Sequence, residues 1–221
     1  VLSHMTALWE DRGKWDAYRN DYAERFSNKP YTVRPSTLGL EDYADSYVGR
    51  RACEYIEAYD RDEPFCCWVG FGGPHEPWDT PEPYASQYDP AAMPAPAPVP
   101  VDAAERPPGG LDDLCRRQNH DLQAEEIAQM RADYAGNISL IDDQIGRILE
   151  VLEKRGALDN TIIALVSDHG EMNGDCGLIY KENFLDGAVR VPLLLRTPQS
   201  AAGHNTGQVS QAPVEWFDLG P

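Results

Sequence analysis

The stretch that decides the fold reads TIIALVSDHGEM and runs from Thr161 to Met172. Its first part is continuous in Ile, Ala, Leu and Val, which is typical of a strand that is covered on both faces, as in parallel sheets. The polar residues from Ser167 onward then stand at the carboxyl end of the strand, where ligands gather in open α/β sheets. We therefore expect a buried strand over 161–166 with a binding site directly after it.

Two more apolar runs predict strands, over Phe65–Phe71 and Val191–Leu195. Two stretches with apolar residues at spacings of three and four predict amphipathic helices, over Leu40–Tyr59 and Asp121–Arg155. Helices that alternate with fully apolar strands indicate the α/β class. We expect a mostly parallel sheet flanked by helices, with the three strands in one sheet and the longer helix packed on its face.

The remaining segments fit into the same unit, because 221 residues suffice for one domain or for part of a larger one. Residues 1–38 are polar with scattered aromatic residues, which indicates peripheral helix and loop. Residues 77–110 form a long proline-rich loop, which is either a surface excursion or a lid over a site. We therefore expect residues 1–221 to form part of a single domain.

The charge of the chain restricts its partners. A formal net charge of −18 repels the phosphates of nucleic acids and of anionic lipids, so we expect neither as a partner. No apolar run approaches the ~20 residues that span a membrane. Five cysteines are too few and too irregularly spaced for a disulfide framework. The sequence is compatible with a periplasmic, a secreted or a cytoplasmic protein.

Four residues are candidates for chemistry. Asp168 and His169 follow the strand directly, where both can reach one cation; the alternative is a turn that caps a following helix. His75 lies between two prolines just past another predicted strand, well placed for proton transfer or for binding an oxyanion. Lys181 lies in a glycine-rich loop and suits an anionic oxygen, with a solvated surface lysine as the alternative.

These residues occur in an order and spacing that resembles the sulfatase family of the alkaline-phosphatase-like superfamily. One stretch of resemblance contains SDHGEM at 167–172, GD at 174–175, Lys181 and VRVPLL at 189–194. Residues 65–77 resemble the strand and the GPHxP turn of that family, and residues 134–146 resemble the helix before its metal-ligand strand. The ordered set is far more specific than any one of these motifs.

The resemblance implies a role for each of the four candidates. Asp168 and His169 would be ligands of a divalent cation, typically Ca²⁺. Lys181 would contact the sulfate, and His75 would contact the sulfate or assist the leaving oxygen. The metal would lower the cost of a dianionic transition state, and the substrate would be a small-molecule sulfate ester.

Two parts of the family pattern have no counterpart in this sequence. No cysteine or serine stands in the C-x-P-S-R or S-x-P-S-R nucleophile motif, so the family's formylglycine is expected upstream of Val1. The Asp-Asp metal pair that ends the family's first strand is also missing. In addition, Cys176 stands where many relatives have a histidine.

These departures favour an internal piece of a longer enzyme that lacks the N-terminal nucleophile segment, with a degenerate homologue as the alternative. The isolated chain is then expected to be inactive, to bind metal weakly and to self-associate through exposed core surface. For the full-length protein the leading hypothesis is metal-assisted hydrolysis of a sulfate ester. Hydrolysis of a phosphonate or phosphate ester within the same superfamily is the alternative, and a non-catalytic metal-binding or interaction protein is the third.

Overall fold

The computed structural model describes residues 3–28, 32–99, 122–198 and 207–220. Its helices and strands are α1 (His4–Asp11), α2 (Trp15–Asn28), α3 (Ala44–Ala58), α4 (Ala124–Lys154), β1 (Ile163–Val166), α5 (Asp186–Val189) and β2 (Leu193–Arg196). Short 3-10 segments lie at Tyr84–Ser86, Pro90–Ala92, Leu158–Asn160, Asp175–Gly177 and Trp216–Leu219. None of the helices in these four ranges combines the length and the apolar character that crossing a bilayer requires.

The helices α3 and α4 pack against each other at the centre of the described chain. They confirm the helices predicted over 40–59 and 121–155, although Asp121 lies outside the described residues. At their contact a Cβ added to Gly49 of α3 would lie 2.7 Å from the Cβ of Gln144 in α4, and Gln144 is buried. The two helix backbones can approach this closely because position 49 has no side chain.

The two strands confirm the predictions over 161–166 and 191–195, and they pair with each other. Their pairing is antiparallel, with Ile163 opposite Arg196 and Val166 opposite Leu193, so this pair differs from the mostly parallel sheet expected. The reason lies in the connection between them. The chain leaves β1 and returns at the same end, where the Gly170 N–H donates to the Ala188 carbonyl at 2.7 Å. A parallel return would need a crossover to the opposite end of the sheet.

Residues 65–71 form no strand, so that prediction is wrong for the described structure. A strand needs a hydrogen-bonded neighbour, and within the described ranges no ladder forms along this segment. The segment nevertheless runs in the same direction as β1. Phe65 and Ile163 pack against the same buried residues of α3 and α4, and ten residues later His75 lies against His169.

Apolar surface remains uncovered around this incomplete sheet. Leu165 of β1 is 41% exposed, so the burial on both faces expected for this strand is wrong here. In β2, Leu194 is 58% exposed and Leu195 is 63% exposed. The C-terminal part of α4 covers Ile163 through Val151 and Leu152. Trp68, at 73% exposure, lies against the ring of Trp216, at a centroid distance of 5.7 Å. Association of chains through this surface stays a prediction.

The N-terminal helices and the loop after His75 are fastened to this centre by polar contacts. Arg25 of α2 is buried and donates to the carbonyl oxygens of Arg34 at 3.0 Å and Pro35 at 3.1 Å. The loop predicted over 77–110 lies along α4 in its described part, where the Tyr88 hydroxyl is 2.8 Å from Ser139 Oγ. Residues 100–110 lie outside the described ranges.

A group of buried acids and hydroxyls links this loop to α3 and α4. Asp79 is buried and accepts hydrogen bonds from Ser36 Oγ at 3.0 Å and from the Tyr43 hydroxyl at 3.1 Å. Asp133 of α4 accepts from the Thr80 N–H at 3.1 Å. Loss of hydration raises the pKa of Asp79 to about 7 and that of Asp133 to about 6, because burial disfavours the charged form.

Replacing Gly49 tests the close contact of α3 and α4. Gly49→Ala should lower the free energy of unfolding by about 1–3 kcal/mol, because the new methyl group would overlap buried Gln144. The control is Gly146→Ala on α4, where an added Cβ meets nothing within 4 Å. That change should raise stability by up to ~1 kcal/mol through helix propensity alone. Urea denaturation measures both, and equal effects at the two positions would contradict the packing described.

The buried acid Asp79 predicts a pH dependence of stability. Its folded pKa of about 7 lies above the ~3.9 of an unfolded Asp, so between these values the folded chain retains a proton that the unfolded chain releases. The free energy of unfolding should therefore fall as the pH rises, by up to ~1.4 kcal/mol per pH unit. Asp133 adds to the slope only below about pH 6.

The substitution Asp79→Asn should accordingly remove the slope between pH 6 and 7 and leave below pH 6 only the smaller slope that Asp133 supplies. Denaturant titrations at pH 5, 6, 7 and 8 measure both intervals. Asp159→Asn, at an exposed ion pair with Arg196, is the matched control and should leave the profile unchanged. A profile that Asp79→Asn does not alter would show that Asp79 is ionised throughout this range.

Candidate active site

The turn that presents His75 is held by a buried carboxylate of α3. Asp45 is 1% exposed, and its Oδ1 accepts the N–H groups of Gly72 at 2.8 Å and Gly73 at 3.2 Å. Burial raises the pKa of Asp45, and the two backbone donors oppose that rise. A Cβ at Gly73 would lie 1.9 Å from Asn137 Oδ1, so the turn reaches this carboxylate only because residue 73 is glycine.

The imidazole of His75 has a defined orientation. Its Nδ1 lies 3.0 Å from the Glu76 carbonyl oxygen and 2.8 Å from Glu76 Oε2, so Nδ1 carries the proton that it donates. The opposite nitrogen, Nε2, is then free to accept, and Lys181 Nζ donates to it. His75 and Lys181 are 106 residues apart in sequence, so the fold brings together an imidazole and an ammonium group.

Lys181 reaches His75 from a loop with an unusual backbone. The preceding residue, Tyr180, has φ of 69°, a left-handed conformation that non-glycine residues rarely adopt. Its N–H donates to Glu171 Oε1, and its ring stacks on Trp78 with a centroid distance of 5.9 Å and an interplanar angle of 11°. Since Trp78 follows His75 by three residues, this stack joins the two loops that carry His75 and Lys181.

Asp168 and His169 lie directly after β1, as predicted. The His169 ring is 5.9 Å from the His75 ring in an edge-to-face arrangement. His169 Nδ1 donates to the Gly170 carbonyl oxygen at 2.9 Å, which leaves Nε2 as the nitrogen with a free lone pair. That Nε2 lies 3.7 Å from Asp168 Oδ2, so a carboxylate oxygen and an imidazole nitrogen face the same space.

These two donors fit a divalent cation as part of its coordination shell. One ion could contact both a carboxylate oxygen and an imidazole nitrogen at this separation. A histidine that binds a metal through Nε2 usually donates a hydrogen bond from Nδ1, as His169 does, and this bond fixes the orientation of the ring. Among the described residues, however, no group of three or more His, Cys, Asp or Glu side chains is arranged to hold a metal. Hard cations need more ligands than these two, so the pair forms at most one side of a site.

The structure thus brings together all four residues singled out from the sequence: His75, Lys181, Asp168 and His169. Their convergence is a feature of the fold, whereas their chemical roles stay predictions. The sequence reasoning missed Asp45, Glu171 and Tyr180, which hold the two loops. Of these, Glu171 lies inside the SDHGEM motif, so its position in that motif was the available signal.

A sequence model of the sulfatase family, described simply as "Sulfatase", matches residues 7–221. A choline-sulfatase of Rhizobium meliloti (strain 1021) is 33% identical over 153 residues, which cover 68% of this chain and 30% of that protein. The multifunctional alkaline phosphatase superfamily protein PehA of Trinickia caryophylli is 32% identical over 203 residues, covering 86% of this chain and 39% of that protein.

Among solved structures, the phosphonate monoester hydrolase of Agrobacterium radiobacter superimposes with a TM-score of 0.71 at 24% identity. The match covers 89% of this chain and 42% of that one, and it supports an alkaline-phosphatase-like fold. The chain therefore spans less than half the length of each of these relatives. Since the family model matches nearly the whole sequence, the chain belongs to the sulfatase family.

Proposed function

We propose that the protein containing this chain hydrolyses a sulfate ester with the help of a divalent cation, and that this chain supplies the cationic side of the active site. The observation that carries the proposal is the contact of Lys181 Nζ with His75 Nε2, with the His169 ring 5.9 Å from that of His75. In a chain of net charge −18, three nitrogen-bearing side chains gathered at one place favour an anionic ligand. The relative named choline-sulfatase supports sulfate as that anion.

In this proposal Lys181 and His75 act on the oxygens of the sulfate group. The ammonium group of Lys181 binds a charged oxygen of the sulfate. This interaction becomes stronger as negative charge accumulates on that oxygen in the transition state. In its imidazolium form His75 carries a proton on each ring nitrogen, and it delivers the Nε2 proton to the leaving oxygen of the alcohol, which leaves the neutral Nδ1–H imidazole. Glu76 stabilises the imidazolium before this transfer because its carboxylate and its carbonyl oxygen both face Nδ1.

Asp168 and His169 would hold the cation, for which calcium is proposed. When bound, the cation would neutralise charge on the sulfate oxygens and polarise the ester. His169 is oriented for this role by the hydrogen bond from its Nδ1 to the Gly170 carbonyl oxygen. The additional ligands and the nucleophile, for which formylglycine is proposed, would come from other parts of the protein.

We further propose that the complete sheet is mostly parallel. Residues 65–71 and β1 run in the same direction, and the chain after each of them leads to a site residue, His75 or Asp168. The exposed apolar side chains beside them, including Leu165 and Trp68, offer a surface that further strands could cover. Such strands would bring their carboxyl ends, and any ligands there, to the same edge.

Hydrolysis of a phosphonate or phosphate ester is the second candidate. It is favoured by the TM-score of 0.71 to a phosphonate monoester hydrolase over 89% of this chain. Lys181 and His75 would serve a tetrahedral phosphorus oxyanion in the same way, since both groups recognise charged oxygens rather than the central atom.

Kinetics of lysine variants test the proposed function in the complete gene product that contains this chain. Lys181→Ala should lower kcat/KM for an aryl sulfate about 10²–10³-fold, because a donor aimed at developing negative charge is lost. Lys154→Ala is the control: Lys154 is also cationic and exposed, at the end of α4, and its loss should leave the rate unchanged. An aryl phosphonate assayed in parallel identifies the preferred ester. Equal rates for Lys181→Ala and the unsubstituted protein would refute the assignment.

Removal of metal tests the role of Asp168 and His169. Chelation should abolish hydrolysis by the complete gene product, and added Ca²⁺ should restore it. Asp168→Asn should raise the calcium concentration for half-maximal restoration by about tenfold or more, because a charged oxygen ligand becomes a neutral one. Asp186→Asn, at an exposed aspartate that faces Arg190, is the matched control. Full activity after exhaustive chelation would exclude the metal, and an unchanged calcium requirement in Asp168→Asn would exclude this ligand.

A further inference from the structure

We propose that Glu171 is a positioning residue that delivers Lys181 to the active site by holding Tyr180 in its left-handed conformation. The inference rests on the proposed function, because it concerns the group that would bind the ester oxygens. Glu171 Oε1 accepts hydrogen bonds from the backbone N–H groups of Asn173 and Tyr180. It acts through the course of the chain between Met172 and Lys181.

The backbone of this loop departs three times from the conformations that side chains favour. Asn173 has φ of 50°, Cys176 has φ of 55° and Tyr180 has φ of 69°. Asparagine is one of the few residues that tolerate such values, but tyrosine is not. A left-handed residue reverses the direction of the chain locally, so the conformation of Tyr180 determines the position of the Lys181 backbone and the direction in which its side chain starts. Such a conformation persists only where its surroundings over-determine it.

A single carboxylate oxygen supports the first and the last of these residues, whereas the Cys176 N–H donates to the Ala97 carbonyl oxygen. Glu171 Oε1 accepts the N–H of Asn173 at 3.1 Å and also the N–H of Tyr180. The second backbone polar group of Tyr180, its carbonyl oxygen, is fixed as well, since it accepts the Met172 N–H at 3.0 Å. Residues 171 and 172 therefore hold both backbone groups of Tyr180. We call these hydrogen bonds, which close the loop from residue 172 to residue 180, the clasp.

Side-chain packing fixes the position of the loop but does not replace this clasp. Met172, Leu178 and Ile179 are buried, and the Tyr180 ring stacks on Trp78. These contacts hold the loop against the core and against the segment after His75. The hydrogen bonds to the N–H and the carbonyl oxygen of Tyr180 hold the two peptide planes that flank its Cα, and the relative orientation of these planes sets its backbone angles.

The geometry separates the effect of the acceptor oxygen from that of the charge. Glutamine keeps an oxygen at the same distance from the backbone but carries no charge, so Glu171→Gln should preserve the clasp. Aspartate keeps the charge but withdraws the oxygen by one methylene, so Glu171→Asp should release it. If Glu171 acted on Lys181 through charge alone, the order of these two variants would be reversed.

The experiment measures kcat/KM of the complete gene product with an aryl sulfate. Glu171→Ala and Glu171→Asp should each lose about 10–100-fold, because a displacement of about 1 Å at a reacting centre has effects of this size. Glu171→Gln should stay within about threefold of the unsubstituted protein. Glu182→Ala, an exposed glutamate next to Lys181 in the same loop, is the matched control and should stay within the same range.

A double-mutant cycle with Lys181→Ala distinguishes positioning from general damage. If Glu171 acts through Lys181, adding Glu171→Ala to Lys181→Ala should cause no further loss. An additional 10-fold loss in that background, or a Gln variant as slow as the Ala variant, would overturn the inference. If Lys181→Ala itself retained full activity, the proposed function would fail instead.

Hydrogen exchange of the Tyr180 amide gives a readout that does not depend on activity. In the 221-residue chain its exchange should accelerate at least 10-fold in Glu171→Ala and Glu171→Asp, and remain slow in Glu171→Gln. The Gly174 amide, which donates to the Leu178 carbonyl oxygen at 2.8 Å, reports on the integrity of the loop. Equal protection of Tyr180 in all variants would show that Glu171 does not hold the turn, whatever the kinetics.

Discussion

A carboxylate that is removed from water must find hydrogen-bond donors, and in this protein two carboxylates find them in the backbone of the site loops. Asp45 accepts two N–H groups of the glycine turn before His75, and Glu171 accepts those of Asn173 and Tyr180 before Lys181. Each acid thereby satisfies its own need for donors and fixes a loop at the same time. Without them, the two loops would lack the constraint that makes the imidazole and the ammonium group meet.

The two loops also depend on each other and on α4. Trp78 and Tyr180 stack, and Met130 of α4 packs with Trp78 and Ile179 in one cluster. Further along the same helix, Asn137 donates to the Tyr43 hydroxyl at 3.1 Å, which in turn donates to Asp79. The helix is thus more than a cover for the sheet. Its Met130 packs on Trp78 of the loop after His75 and on Ile179 of the loop before Lys181, so one helix contacts both loops and sets their relative position.

The sequence predicted those features that depend on periodicity and on motif order. The helices α3 and α4, the strands β1 and β2, and the convergence of His75 with His169 and Lys181 all follow from such patterns. The direction of β2 and the lack of pairing along residues 65–71 could not be predicted in this way, because pairing depends on neighbours and connections rather than on composition. Likewise, the sequence does not distinguish Glu171 from the other acidic residues, because its contact with the left-handed residue Tyr180 is visible only in the structure.

The narrow space around Gly73 restricts which amino-acid substitutions can accumulate at this position and at its neighbours. A side chain at position 73 would collide with Asn137 Oδ1 and with Asp45 Oδ2, at distances of 1.9 and 2.5 Å from its Cβ. Asn137 cannot simply be shortened to make room, since its amide also donates to Tyr43. Substitutions at these positions are therefore epistatic: each is harmful by itself, and only a coordinated set could restore the turn. Selection on any one of them acts on the other two, and the three should covary among homologues that retain the His75 loop.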